Sequence, residues 1–224
     1  MNTIRRNIQI DQNQTQILDA GCGLGYASFW IAKKYPNWKI KGIDTDEIVI
    51  GQNIKISQFL GLQNLFFENM SIEDTSEQAI YDIVCTADVL EHIENDIIAL
   101  SVLNKAIKKN GLLILHLPLN RHLCRRIFPW FKPIVMPDHV REEYTVEEIT
   151  KKLLETGFSI IEIGFGYSWK GELAYELNYM FWERKWLRKM IATFLQIPVN
   201  VLAYLDVQAP HPQGNSIIVV AKPL

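Results

Sequence analysis

Net charge is nearly absent from this 224-residue sequence: 23 Lys+Arg stand against 25 Asp+Glu, a formal charge of −2. A protein that grips a nucleic-acid backbone by charge needs a basic field, so nucleic acid is disfavoured as a partner and only a local basic patch stays open. Cysteine is scarce as well. Cys22, Cys85 and Cys124 form no C-x-x-C pair, which argues against a disulfide scaffold and a clustered zinc site and suits reduced thiols in a cytosolic compartment. No metal centre is expected. No long hydrophobic run occurs either: residues 190–205, the most apolar late stretch, are interrupted by Gln196, Pro198 and Asn200 and fall short of the ~20 apolar residues that span a bilayer. The first 16 residues hold two arginines but no apolar core, so no signal peptide is expected. Apolar residues themselves are not lacking. At 48% they exclude disorder, and the length fits one domain over 1–224 with something added to it.

From residue 17 the chain reads as alternating strands and helices. QILDAGCG is a short buried strand entering a glycine turn, YASFWIAKKY a helix stopped before Pro36, and residues 38–43 a second strand ending at Asp44. A helix over 47–60 closes at Gly61. Residues 65–67 and YDIVCTADV supply two further strands. Apolar residues at 97, 100, 103 and 107 predict a helix over 96–109 that Gly111 stops. LLILHLP is the most hydrophobic strand, as expected at the middle of a parallel sheet covered on both faces. Residues 119–144 then lose all periodicity, with three prolines among basic and aromatic residues, and form an acceptor-side loop. Thr145 and Glu148 make the T-x-x-E capping box of a helix ending at Gly157, and residues 158–163 and 216–221 are strands. Between them, residues 167–210 read as a helical insertion rich in Trp, Tyr and Phe with Arg184, Lys185, Arg188 and Lys189.

The strongest motif is Asp19-Ala20-Gly21-Cys22-Gly23-Leu24-Gly25-Tyr26 at the first strand–helix junction. Glycines permit a tight turn and close ligand approach beside a helix N-terminus. The dinucleotide pattern G-x-G-x-x-G needs its third glycine three places after the second, whereas Gly25 follows Gly23 by two. Asp19 would repel a pyrophosphate but suits an ammonium group. Asp44, 19 residues beyond Gly25 at the end of the second strand, can accept hydrogen bonds from ribose hydroxyls. These marks point to an adenosine-type cofactor without phosphates.

ILDAGCGLGY, the GID ending in Asp44, YDIVCTADVLEHI and GLLILHLP together resemble the ordered motifs of class I S-adenosylmethionine-dependent methyltransferases, above all the small-molecule and lipid-like subgroup. The resemblance covers residues 16–163 and the last strand. It implies a Rossmann-like α/β fold: a seven-stranded sheet, mostly parallel with an antiparallel last strand, helices on both faces and the insertion before that strand. It also implies S-adenosyl-L-methionine as cofactor and S-adenosyl-L-homocysteine as product. Gly21, Cys22, Gly23, Gly25 and Tyr26 would then shape the loop around the methionine part, Asp19 would face its amino group, and Asp44 the ribose. Thr45 would line the adenosine pocket, Asn69 and Met70 would stand where the family carries an acid before a small residue, and Asp88 would border the methionine end ahead of the L-E-H run Leu90, Glu91, His92.

Because the sulfonium methyl is already activated, the protein has mainly to align a nucleophile and exclude water, with a general base needed only for a protonated acceptor. Candidates for the acceptor side are Asp88, His116, His139, Arg141 and Tyr144; His116 is either a satisfied core histidine or a base. Arg121, Arg125 and Arg126 with Trp130, Phe131 and Lys132 form a basic–aromatic cluster that either holds an anionic substrate or is a solvated face. The 167–210 insertion either packs over the acceptor pocket, lies on a membrane surface, or forms a homodimer interface. Cys22 and Cys85 lack the setting of a nucleophile. The sequence reading is methyl transfer to a small-molecule acceptor, amphipathic or anionic, in the cytoplasm or at the inner membrane surface. A protein or RNA methyltransferase and a non-catalytic cofactor-binding module are the alternatives.

Overall fold

A computed structural model describes residues 14–119, 140–141, 144–166, 214 and 216–224. The elements run β1 (Gln16–Ala20), α1 (Tyr26–Lys34), β2 (Lys39–Asp44), α2 (Glu47–Phe59), β3 (Leu65–Asn69), β4 (Tyr81–Ala87), a short 3-10 turn (Leu90–His92), α3 (Asp96–Ala106), β5 (Ile107–Pro118), α4 (Val146–Glu155), β6 (Phe158–Gly166) and β7 (Ser216–Pro223). The seven strands form one sheet in the order β3-β2-β1-β4-β5-β7-β6. β1 to β5 run parallel, and β7 is antiparallel to both β5 and β6. This is the architecture the sequence predicts.

The period-2 geometry of a strand sends neighbouring side chains to opposite faces. Here both faces are covered. Leu18 and Ala20 of β1, Val84 of β4 and Leu113, Leu115 and Leu117 of β5 share one core with Leu100 and Leu103 of α3 and Ile149 and Leu153 of α4. Ile17 and Ile83 enter a second core with Ala32 of α1, Ile40 and Leu65. Asp19 has the parity of Ile17 and therefore emerges on the α1 side, a placement that decides its partner below. α4 begins as its sequence foretells, with Thr145 Oγ1 accepting from the Glu148 amide and the Glu148 side chain returning to the Thr145 amide.

One helix boundary is corrected. Residues 107–109 were expected to continue α3, but Ile107 begins β5 and pairs with Tyr81. Lys108 does not finish a helix; its ammonium binds Asp82 at 2.8 Å across the strand pair. Gly111 does not stop a helix either. It sits inside β5 where the backbones close in, so that an added Cβ would lie 2.9 Å from the Tyr81 and Asp82 carbonyl oxygens.

The sheet order reverses direction between β1 and β4. In open α/β sheets the crevice outside the carboxyl ends of the strands at such a switch is where ligands bind. The loops leaving β1 and β4 are the glycine turn and the segment around Asp88.

Candidate active site at the sheet switch point

The glycine turn is held from beneath by the neighbouring strand: the amides of Gly21 and Cys22 both donate to the Ile43 carbonyl, each at 2.9 Å. Gly21 has φ 78°, and a Cβ there would lie 2.3 Å from Val89 Cγ2, so the β1 and β4 loops touch only because this position has no side chain. Gly23 differs. Its φ is 47°, and an added Cβ would meet nothing within 4 Å, which leaves its face open for a ligand. Asn53 of α2 fixes the turn from outside by donating to the Gly23 carbonyl at 2.7 Å.

Asp44, expected to face the ribose, anchors the turn from β2. Its Oδ2 accepts from the Gly23 amide at 2.8 Å and its Oδ1 from the Asp46 amide at 3.0 Å. Each carboxylate oxygen has a second lone pair, so both can still accept from a hydroxyl. The Asp44 carbonyl in turn accepts from Asn69 Nδ2 at 2.9 Å and the Met70 amide at 3.1 Å. Asn69 thus has its donor committed to β2 while its oxygen stays available to an adenine amine. Thr45 follows Asp44 as an exposed residue, and Tyr26, first in α1, is 78% exposed.

Asp19 is buried and accepts a 2.6 Å hydrogen bond from Ser28 Oγ of α1. Burial pushes its carboxyl above the ordinary value; the Ser28 hydrogen bonds oppose the rise and the Asp44 charge adds to it. Among the described residues no lysine or arginine pairs with Asp19 or Asp44. Two carboxylates without a basic partner beside an open glycine make a site for a cation rather than for a phosphate, and the ammonium and sulfonium of S-adenosylmethionine fit it. The same surroundings suppress thiol chemistry: burial first, then Asp19 and Asp44, push Cys22 up to about 12, and burial does the same for Cys85. No group of three or more His, Cys, Asp and Glu poised for a metal occurs among the described residues.

On the β4 side, Asp88 occupies the left-handed region at φ 54° and donates its amide to the His116 carbonyl at 3.1 Å. Its Oδ1 lies 2.9 Å from His116 Nδ1, so Asp88 and His116 are one unit. Glu91 is buried, with Oε2 lacking a partner among the described groups. Burial raises its carboxyl, the Asp88 charge adds to that, and His92 and His116 oppose it.

Arg141 and Tyr144 require a correction. Both were expected to face the acceptor, but the structure uses them in a partly buried ion-pair cluster around Asp96. Asp96, at the start of α3, accepts from Arg141 Nη1, from Tyr144 Oη at 2.6 Å and from Lys152 Nζ at 2.6 Å. Arg141 Nη2 also donates to the carbonyls of Ile93 and Glu94. Their polar groups therefore fasten the end of the 119–144 segment to the turn after β4. His139, Arg121, Arg125, Arg126, Trp130, Phe131, Lys132 and the 167–210 insertion lie outside the described residues. Ser28, Asn53 and Val89 join the site without having been singled out in the sequence. Ser28, in the first turn after the glycines, and Val89, next to Asp88, stand close to the motifs; Asn53 does not.

Residues 11–178 match the family model described as Methyltransferase domain. A probable (S)-tetrahydroprotoberberine N-methyltransferase 2 of Papaver bracteatum is 27% identical over 123 residues, 55% of this chain and 33% of the relative. The chain spans about a third to a half of the curated relatives it matches. Among solved structures, the [4+2]-cyclase SpnF superposes with a TM-score of 0.70 at 16% identity, covering 99% of this chain and 79% of the other. A phosphoethanolamine-type N-methyltransferase 2 of Haemonchus contortus, solved with phosphomonomethylethanolamine and S-adenosylhomocysteine, superposes at 0.69 with 17% identity, covering 100% and 52%. Likeness at that level shows the fold, which hosts more than one chemistry.

Proposed function

Since this chain belongs to the class I S-adenosylmethionine-dependent methyltransferase family, we propose that it transfers the cofactor's methyl group to a small-molecule acceptor, amphipathic or anionic. The single observation that carries the reading is the glycine turn at the sheet switch point, with the open face of Gly23 held by Asp44 and with Asp19, bound to Ser28, at its entry, neither acid having a Lys or Arg partner among the described residues. The bound cofactor supplies an activated methyl on a positively charged sulfur. The protein's own tasks are simpler to state. Asp19 attracts the ammonium end, Asp44 receives the ribose hydroxyls, and the Asn69 oxygen is free to accept from the adenine amine. The side of the sheet beyond β4 positions the acceptor and keeps water from it. A small acceptor is supported by the tetrahydroprotoberberine and phosphomonomethylethanolamine named with two relatives, and by a net charge that gives no field for nucleic acid.

Calorimetry tests the cofactor site. S-adenosylhomocysteine should bind the native protein, and Asp44→Ala should weaken it roughly 10- to 150-fold, the worth of one charged hydrogen bond at ~1.5–3 kcal/mol. Absence of binding to the native chain would sink the reading. Membrane contact through 167–210 is a separate proposal. The contact proposed is peripheral, because the most apolar stretch of that segment, residues 190–205, is interrupted by Gln196, Pro198 and Asn200 and is too short to span a bilayer. Co-sedimentation with anionic vesicles should occur and should be lost on charge reversal at Arg184, Lys185, Arg188 and Lys189. Native protein that stays in the supernatant rejects that proposal.

A further inference from the structure

The Asp88–His116 unit does something that the cofactor site does not require. We propose that His116 is the general base for the acceptor, that Asp88 is the residue that orients it, and that the acceptor therefore carries a proton on its nucleophilic atom, as a hydroxyl or a protonated amine does. The inference rests on the methyltransferase reading and adds the acceptor's chemical class to it.

The geometry comes first. An ionised carboxylate can only accept, so in the neutral ring the 2.9 Å contact of Asp88 Oδ1 with His116 Nδ1 selects the tautomer with the proton on Nδ1 and the lone pair on Nε2. That nitrogen lies near β6: a Cβ built on Gly166 would be 3.9 Å from it. The same Cβ would lie 2.4 Å from Ser216 Oγ, a buried hydroxyl without a hydrogen-bond partner among the described groups. Ser216 Oγ, free to donate or accept, is therefore a second polar group on the same side of the sheet as His116 Nε2. His116 thus stands between the cofactor side, reached through Asp88, and the edge from which residues 119–144 and 167–215 depart.

Backbone strain supports the assignment. A non-glycine residue at φ 54° costs about 1–3 kcal/mol and persists where its surroundings hold it. Asp88 is held at both ends by one residue, its amide on the His116 carbonyl and its carboxylate on the His116 ring. An aspartate is not needed at that position for packing, since its side chain is 58% exposed.

In the step itself the acceptor's X–H proton passes to His116 Nε2 while the X–CH3 bond forms. The S–CH3 bond breaks with its electron pair retained by sulfur, and the imidazolium, stabilised by Asp88, later returns the proton to solvent. No oxidant or further reactant is needed. Among the described residues the charged groups facing the ring are Asp88 and the buried Glu91, which also lies in the field of His92; β6 and β7 bring Gly166 and Ser216, neither of them charged.

The test uses the whole protein, S-adenosylmethionine labelled on the methyl group, and a small-metabolite extract as the acceptor pool. His116→Asn should bind S-adenosylhomocysteine within about threefold of native and lose ~10²–10⁴-fold of the transfer rate near neutral pH, with the deficit shrinking as rising pH deprotonates the acceptor. Asp88→Asn keeps a residue that tolerates the left-handed backbone and should lose at least about tenfold, because its amide can donate to Nδ1 and move the ring proton to Nε2. Long-range proton–nitrogen spectra of the native protein, assigned by the signal missing in His116→Asn, should show the Nδ1–H form without any cofactor present. Equal transfer by native and His116→Asn proteins, or an Nε2–H form in the native spectrum, overturns the inference and leaves the methyltransferase reading standing. A native protein that binds no S-adenosylhomocysteine overturns both.

Discussion

Gly21→Ala should lower the thermal midpoint by roughly 5–15 °C and remove S-adenosylhomocysteine binding. The new methyl would lie 2.3 Å from Val89 Cγ2 at a backbone with φ 78°. Overpacking of this kind costs about 1–3 kcal/mol and a left-handed non-glycine residue about 1–2 kcal/mol more, and each kcal/mol moves the midpoint of a chain this long by roughly 2–4 °C. Gly23→Ala is the contrasting case. With nothing within 4 Å of the added Cβ it should cost only the backbone strain, a few degrees at most, yet block the ligand by occupying the open face. Scanning calorimetry and titration on both variants separate the two roles. A native midpoint for Gly21→Ala, or native affinity for Gly23→Ala, would show that the turn is not the close-packed cradle described.

The second large effect is at Asp96. Asp96→Ala should destabilise the fold by about 1.5–3 kcal/mol, because the partly buried Arg141 and Lys152 and the buried Tyr144 hydroxyl would lose the buried carboxylate they share. Burial by itself would raise this carboxyl, but the hydrogen bonds of Lys152 and Tyr144 and the Arg141 charge prevail and hold it below the ordinary value. A carboxylate depressed by folding contributes its stability above the unfolded value near pH ~3.9 and loses it as pH falls through the lower, folded value. The native protein should therefore show a steep loss of urea resistance below about pH 4 that Asp96→Asn lacks. Denaturation midpoints from pH 3 to 7 provide the check, and parallel native and variant curves would refute the account.

The strands were readable because their apolar runs are local, and the switch-point turn because three glycines and two aspartates keep a fixed spacing. What escaped the sequence depended on distant partners. The end of α3 was misplaced because Ile107 is claimed by Tyr81 and Lys108 by Asp82, neither of which a helical period can reveal. Arg141 and Tyr144 suggest acceptor residues because they end the irregular 119–144 segment just before a helix; Asp96, which captures them, lies 45 and 48 positions earlier. The Asp88–His116 contact spans 28 positions and joins two residues each noticed singly. Val89 and Asn53 carry no chemical signal at all, and their importance follows only from what they touch.

The carboxyl edge of the sheet has one more consequence. Leu119 forms a bridge with Tyr144, and Gly166 faces Ser216, which in turn faces Pro118. The two long additions to the core therefore leave and rejoin it at neighbouring residues of a single row. Closing a loop whose ends are already adjacent depends only weakly on its length. Such a row behaves as a pair of sockets: segments of other lengths and compositions can be exchanged there while the cofactor-binding half is left untouched. Chimaeras that replace 120–139 or 167–213 with the matching segments of a relative should keep the strand register intact and change the acceptor.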